Sequence, residues 1–224
     1  LAIAAIVVVL GLVTALLRYN AIKTYTQYDV VSATETSGDN IADYTVFAGN
    51  VLKVTKDGAS YIDEKGVTKW DVSYAMKMPH AEVCGNYAIV ADMNGKDVYV
   101  FNVDGEVSRQ TLAYDISNVD IAEQGVYTLV LVGEDCNYIN GYDKDSNTIY
   151  ELKTTIDKSG YPMDIDISND GQKLVTSYMK IQGTKVQSVI AMYNFSSVGQ
   201  NENADRMMGS YTVVDALYPI VKFT

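Results

Sequence analysis

The hydrophobic pattern divides the chain into two unlike parts. Leu1 to Leu17 (LAIAAIVVVLGLVTALL) contains no charged residue. As a helix rising ~1.5 Å per residue, this stretch covers most of a ~30 Å hydrocarbon core. It predicts a transmembrane helix over residues 1–17. Arg18, Tyr19, Lys23, Tyr25 and Tyr28 follow at once, and amphipathic Tyr with snorkelling Arg and Lys suits a membrane interface. The competing reading is the apolar core of a cleaved signal peptide, with Val13-Thr14-Ala15 as its cleavage site. The length of the run and the aromatic belt favour a retained anchor. The chain opens in mid-run with Leu, so we expect a fragment whose cytoplasmic flank precedes it. The acid-rich remainder is expected outside the cytoplasm.

Residues 18–43 read as a juxtamembrane segment and linker, ending in small and polar residues from Ser32 to Asp43 (SATETSGDNIAD). From Tyr44 to the end, short β-type runs alternate with Gly, Asn and Asp, and no sustained helical period appears past Lys23. This predicts an all-β domain over 44–224. One element, strand–turn–strand, recurs as Val46 to Leu52, Val83 to Val90, Ile121 to Tyr127 and Ile167 to Leu174. A second follows each copy: Ile62-Asp63-Glu64-Lys65-Gly66, Phe101-Asn102-Val103-Asp104-Gly105, Tyr142-Asp143-Lys144-Asp145-Ser146 and Tyr193-Asn194-Phe195-Ser196-Ser197. Their leading residues lie 39, 41 and 51 positions apart. Four strands in ~40–50 residues is the period of a β-propeller blade. About four blades are countable, with Val214 to Thr224 (VDALYPIVKFT) beginning another, so the ring is expected to be incomplete.

Pro162 to Leu174 (PMDIDISNDGQKL) resembles the opening of a blade in WD-repeat-like and TolB-like propellers, and Gly58 to Trp70 (GASYIDEKGVTKW) resembles the PQQ-like repeat. With an N-terminal anchor, the chain is similar to membrane-tethered propellers of unknown function found in Gram-positive bacteria. The resemblance implies a propeller from about Tyr44 onward and is nearly silent on activity. Only the first copy carries the repeat Trp (Trp70), so the array is degenerate.

Composition narrows the chemistry. With 28 acidic against 17 basic residues, net charge −11, the chain lacks the cationic surface that nucleic acid requires. The 18 Tyr, against 4 Phe and 1 Trp, suit packing between blades, ring inside and hydroxyl at a strand edge. A quinoprotein enzyme needs a calcium site and, in many members, a vicinal Cys pair; Cys84 and Cys136 lie 52 residues apart. In blade register these two cysteines fall on opposite faces, beyond the ~7 Å that a disulfide tolerates, so two free thiols are expected. Asp143-Lys144-Asp145-Ser146-Asn147 opens like a calcium loop but lacks its Gly and its twelfth-position carboxylate; a hairpin turn explains it. His80 is the only His, placed in an inter-blade connection, and no Gly-x-Ser-x-Gly elbow is present. Asp164 and Asp166 alternate along one strand and so face one way, but such pairs arise by chance in an acidic chain. The reading is therefore of no catalytic residue, no metal and no cofactor.

Binding is expected on the face formed by inter-blade connections and second-to-third-strand loops. The candidates are Met76, Met78, His80, Tyr114, Asp115, Glu134, Asp135, Tyr161 and Met179, with methionines as adaptable apolar contacts. The leading function is a non-catalytic binding or scaffolding module, tethered to the membrane through residues 1–17 and serving an envelope protein partner. The alternative is a sensory or gating propeller of a peptidase-like enzyme whose catalytic domain lies beyond Thr224.

Overall fold

The computed structural model describes residues 2–22, 30, 33, 42–202 and 204–223. They form two compact units, Leu1–Ala33 and Thr34–Thr224. The first unit contains one helix, α1 (Ala2–Ile22). It extends the predicted helix past residue 17, with Thr14 donating its hydroxyl back to the Leu10 and Gly11 carbonyls. Among the described residues no helix is long and apolar enough to cross a membrane. Side chains are described from Val8 onward, a length of ~22 Å at 1.5 Å per residue, and Arg18, Tyr19 and Asn20 occupy its end. The structure supports the helix and does not show a membrane span. The expected linker lies largely outside the described residues.

The second unit is built of four four-stranded antiparallel sheets, each paired in chain order. The first sheet holds β1 (Asp43–Phe47), β2 (Asn50–Thr55), β3 (Gly58–Ile62) and β4 (Thr68–Ser73). The second holds β5 (Pro79–Cys84), β6 (Tyr87–Asp92), β7 (Asp97–Asn102) and β8 (Gly105–Thr111). The third holds β9 (Asp115–Ile121), β10 (Tyr127–Val132), β11 (Asn137–Tyr142) and β12 (Thr148–Thr154). The fourth holds β13 (Tyr161–Ile167), β14 (Lys173–Gln182), β15 (Lys185–Asn194) and β16 (Met207–Val214). The first strands of neighbouring sheets touch one another (β1 with β5, β5 with β9, β9 with β13). The sheets therefore fan out from a shared inner edge as propeller blades do.

Each sheet buries its faces against the next. Phe47, Leu52, Tyr61 and Phe101 fill the space between the first and second sheets. Ile89, Val100, Tyr127 and Leu129 fill the second gap, and Val130, Tyr150, Leu174 and Tyr178 the third. Trp70 lies in the first gap, stacked on Tyr61 at 5.6 Å and on Phe101 at 5.1 Å, with Nε1 donating to the Val103 carbonyl at 3.2 Å. Part of the Tyr excess is absorbed this way: Tyr61, Tyr127, Tyr142, Tyr150, Tyr178 and Tyr193 are all buried. Gly141 is required by such packing, because a Cβ there would sit 2.2 Å from the Tyr150 ring.

Three parts of the sequence reading need correction. The element Tyr193 to Ser197 is no tight hairpin. After β15 the chain forms α2 (Ser197–Glu202) and a 3₁₀ turn (Ala204–Arg206) before β16. Phe195 stacks there on Tyr150, which explains the aromatic residue in place of a turn. Second, β14 and β15 are 10 residues each, so Met179, expected on the loop face, lies inside β14; this is where the 51-residue interval gains its length. Third, Val214 ends β16 rather than opening a blade. Residues further on carry no assigned strand, yet Val221 N–H donates to Asp164 Oδ2 at 2.9 Å and Phe223 N–H to Asp166 Oδ2 at 2.6 Å. One blade earlier, Ile167 N–H of β13 donates to Asp120 Oδ2 of β9 at 2.7 Å. Residues 221–223 thus stand to β13 as β13 stands to β9. Asp164 and Asp166 do face one way, and what they hold is the backbone of residues 221–223 together with the Asn118 side-chain amide, which donates to Asp164 Oδ1 at 2.9 Å.

Candidate functional site

The β2–β3, β6–β7 and β10–β11 turns gather on one face with the connections between sheets, and two clefts open there. Their walls are set by hydrogen bonds across the blade boundaries. Met76 N–H donates to the Lys56 carbonyl, Met93 N–H to the Met78 carbonyl and Asn94 N–H to the Ile116 carbonyl. Asp92 is only 7% exposed. Its Oδ1 accepts the N–H groups of Lys77 at 2.9 Å and Met78 at 2.8 Å, which fixes the β4–β5 connection.

The first cleft, about 410 Å³, lies at the boundary of the first two sheets and is lined by Val54, Pro79, Met78 and Met93, with Lys56, Lys77, His80 and Asp43 around them. His80 is not in a loop but is the second residue of β5. Its Nε2 lies 2.9 Å from Glu82 Oε1, and this hydrogen bond raises its pKa while burial opposes the rise. The second cleft, about 580 Å³, lies between the second and third sheets. It is lined by Tyr114, Asp115, Glu134, Asp135, Cys136 and Tyr138, with Lys96 and Lys153 at its edges. Tyr114 and Tyr138 stack at 5.0 Å, and hydrogen bonding by Cys136 and then Tyr114 pushes the Tyr138 hydroxyl's pKa up.

Six of the nine sequence candidates line these clefts: Met78 and His80 the first, Tyr114, Asp115, Glu134 and Asp135 the second. Met76 does not, being buried at 5% exposure in the first inter-sheet core. Tyr161 and Met179 pair with each other across β13 and β14 and line neither cleft. The sequence reading passed over Met93 and Lys96, although Met93-Asn94-Gly95-Lys96 is the second-to-third-strand turn of its blade. The Asn-Gly pair there is a legible turn signal, and Asn94 sits at φ 59°.

Asp143 Oδ1 accepts the N–H groups of Asp145 and Asn147, turning the acidic hairpin inward on itself. Among the described residues no three His, Cys, Asp or Glu side chains are placed to hold a metal. Cys84 ends β5 and Cys136 lies in the β10–β11 turn, both half-buried free thiols.

The inner strands carry a row of acids: Glu82 on β5, Asp120 on β9, Asp164 and Asp166 on β13. Burial first, then the neighbouring Asp166 and Glu82 carboxylates, push Asp120 up to about 7 against the opposing hydrogen bonds from Ile167 and Ile121. Burial likewise raises Asp166. The native Asp120 carboxyl holds its proton more tightly than the unfolded one. Its contribution to stability is therefore complete below about pH 4 and is lost as the pH rises through about 7. Asp120→Asn, which keeps an acceptor for Ile167, is expected to recover about 1–2 kcal/mol at pH 8 relative to pH 4.5. Denaturant midpoints at the two pH values check this; equal recovery at both would show that Asp120 does not titrate in this window.

No curated protein matches the chain. Solved structures similar to it share the fold at very low identity. Kluyvelomyces marxianus Hsv2 is 12% identical, with 75% of this chain and 50% of that one covered at a TM-score of 0.53. A eukaryotic initiation factor is 11% identical, with 77% and 42% covered at 0.53. KlAtg21, solved in complex with the coiled coil of AgAtg16, is 11% identical, with 66% and 49% covered at 0.51. The chain spans about half the length of these structures. A family model matches residues 21–224, from the last turn of α1 through all four sheets, and the chain therefore belongs to a family of unknown function, DUF5711.

Proposed function

We propose that this chain is a non-catalytic propeller module, held at a membrane by its N-terminal helix with the propeller outside the cytoplasm, that binds a protein partner on its loop face. The observation carrying this reading is the pair of open clefts side by side on that face, each built by loops of two neighbouring blades. Rigid sheets with variable loops suit a scaffold of this kind, and the KlAtg21 neighbour, alike only in fold, is itself solved with a protein partner. The tether is supported by the uncharged run at 1–17 and by the exposed apolar side chains Val8, Leu10, Leu12 and Leu16.

The test is site-specific photo-crosslinking in cells. A benzophenone amino acid at Met78 or Tyr114 is expected to capture one discrete partner, while the same group at Val67, exposed in the β3–β4 turn, captures none. No adduct, or equal adducts from all three positions, would overturn the reading. Alkaline carbonate extraction checks the tether. The intact chain is expected in the pellet and a variant lacking residues 1–22 in the supernatant.

A further inference from the structure

We propose that the 410 Å³ cleft takes an acidic protein segment, with an apolar side chain seated between flanking carboxylates. This rests on the reading of the loop face as a partner-binding surface and names the chemistry of the partner.

The cleft is small but within the range of ligand sites, ~300–1,000 Å³. Its apolar lining is Val54, Pro79, Met78 and Met93. Met78 is 55% exposed, an unbranched and polarizable side chain able to re-pack over an entering residue. Asn94 Nδ2 touches its sulfur at 3.7 Å, so the thioether lies at the boundary of apolar floor and polar rim.

Charge selects the occupant. The Met76 N–H to Lys56 carbonyl bond brings Lys56 and Lys77 to the same rim. Among the described residues neither ammonium forms an ion pair. Asp43 is the one acid of the lining, and the Glu82 carboxylate is taken by His80. On a chain of net charge −11, these two lysines are the exposed cations of the rim, with Asp43 opposite them in the lining and the buried Asp92 behind the wall on the Lys77 and Met78 N–H groups. A carboxylate-bearing segment gains attraction there that a neutral or basic one does not. An open cleft on a surface face admits an extended chain, and the lysine stems add apolar contact to its seated side chain.

The experiment uses the intact propeller with ¹³C-methyl-labelled Met and two synthetic peptides, acetyl-Asp-Glu-Leu-Phe-Glu-Asp-amide and its counterpart with Lys at every acidic position. The acidic peptide is expected to shift the Met78 and Met93 methyl signals and the basic one is not. Raising salt from about 0.05 to about 0.5 M is expected to weaken the acidic peptide severalfold. Lys56→Glu with Lys77→Glu is expected to weaken it at least tenfold. Both lysines are exposed, so the fold should survive, as an unchanged Trp70 fluorescence melt verifies.

Equal shifts with both peptides, no shift with either, or binding untouched by the double charge reversal would each overturn the proposal. So would saturation of the same methyl signals by octanoate in preference to the peptide, which would make the site one for a fatty acid. Failure of the acidic peptide while Met78 still captures a partner in cells would remove this chemistry and leave the module reading standing. Absence of any capture would remove the reading itself.

Discussion

Tyr127→Ala is expected to lower the stability of the propeller by about 3–5 kcal/mol, the cost of emptying a large aromatic site in a core that collapses only in part. Tyr127 is fully buried on β10. Its ring stacks on Tyr142 at 5.2 Å, and its hydroxyl accepts from Gln110 Nε2 at 2.6 Å and donates to Ser146 Oγ at 3.0 Å. Ser146 in turn donates to Ser108 Oγ at 2.9 Å, and Ser108 to the Lys144 carbonyl at 2.6 Å. Gln110 and Ser108 belong to the second sheet, Tyr127 and Ser146 to the third, so one phenol anchors both packing and polar network across a blade boundary. Burial pushes its pKa up to about 12, and the hydroxyl stays protonated at ordinary pH. Tyr127→Phe keeps the ring and is expected to cost about 1–2 kcal/mol, since Gln110 and Ser146 lose their shared partner in a partly buried site. Urea unfolding followed by circular dichroism separates the two variants. Equal losses for Phe and Ala would assign the stability to the hydroxyl network and not to the ring.

The same boundary shows how far the sequence carries. Strand order and the two recurrent turns were readable because a hairpin is local: Gly49 and Gly85 adopt positive φ where the chain reverses, between short apolar runs. Trp70 was readable as an inter-blade side chain because its size and repeat position leave few other places for it. What lay beyond reach depends on atoms distant in sequence. Asp164 and Asp166 look like any acidic pair until the N–H groups of Val221 and Phe223 reach them from 57 residues away. Met76 and Met78 are two residues apart and met as equals in the pattern, yet one faces the core and the other the cleft. A strand would put residues two apart on one face; these two part because both lie in the irregular connection between β4 and β5. The helix α2 was missed because Ser196-Ser197 and Gly199 carry turn signals, and one short helix without an apolar stripe gives no period to detect.

Replacement of Asp92 by Ala is expected to cost about 3 kcal/mol, from two hydrogen bonds to a buried charged acceptor. The carboxylate ends β6 and lies so close over Gly95 that a Cβ there would be 2.3 Å from Oδ2. Its Oδ1 accepts the N–H groups of both Lys77 and Met78, the two residues that supply one ammonium and the exposed apolar side chain of the smaller cleft. The first half of this connection is held by the buried side chains of Tyr74 and Met76 and by the Met76 N–H bond to the Lys56 carbonyl, and the Asp92 oxygen fixes its last two residues, Lys77 and Met78. Asp92→Ala leaves two N–H groups unpaired behind the cleft wall. Asp92→Asn keeps the acceptor without its charge and is expected to cost about half as much. Hydrogen exchange distinguishes a cleft-positioning role from a general one. In Asp92→Ala the Lys77 and Met78 amides are expected to exchange faster by a larger factor than amides of the inner strands, because local opening no longer breaks these bonds. Uniform acceleration across all four sheets would show instead that Asp92 acts through global stability. In the first case affinity for an acidic segment should fall even at temperatures where the fold is fully formed, since Lys77 and Met78 would then be ordered only on binding.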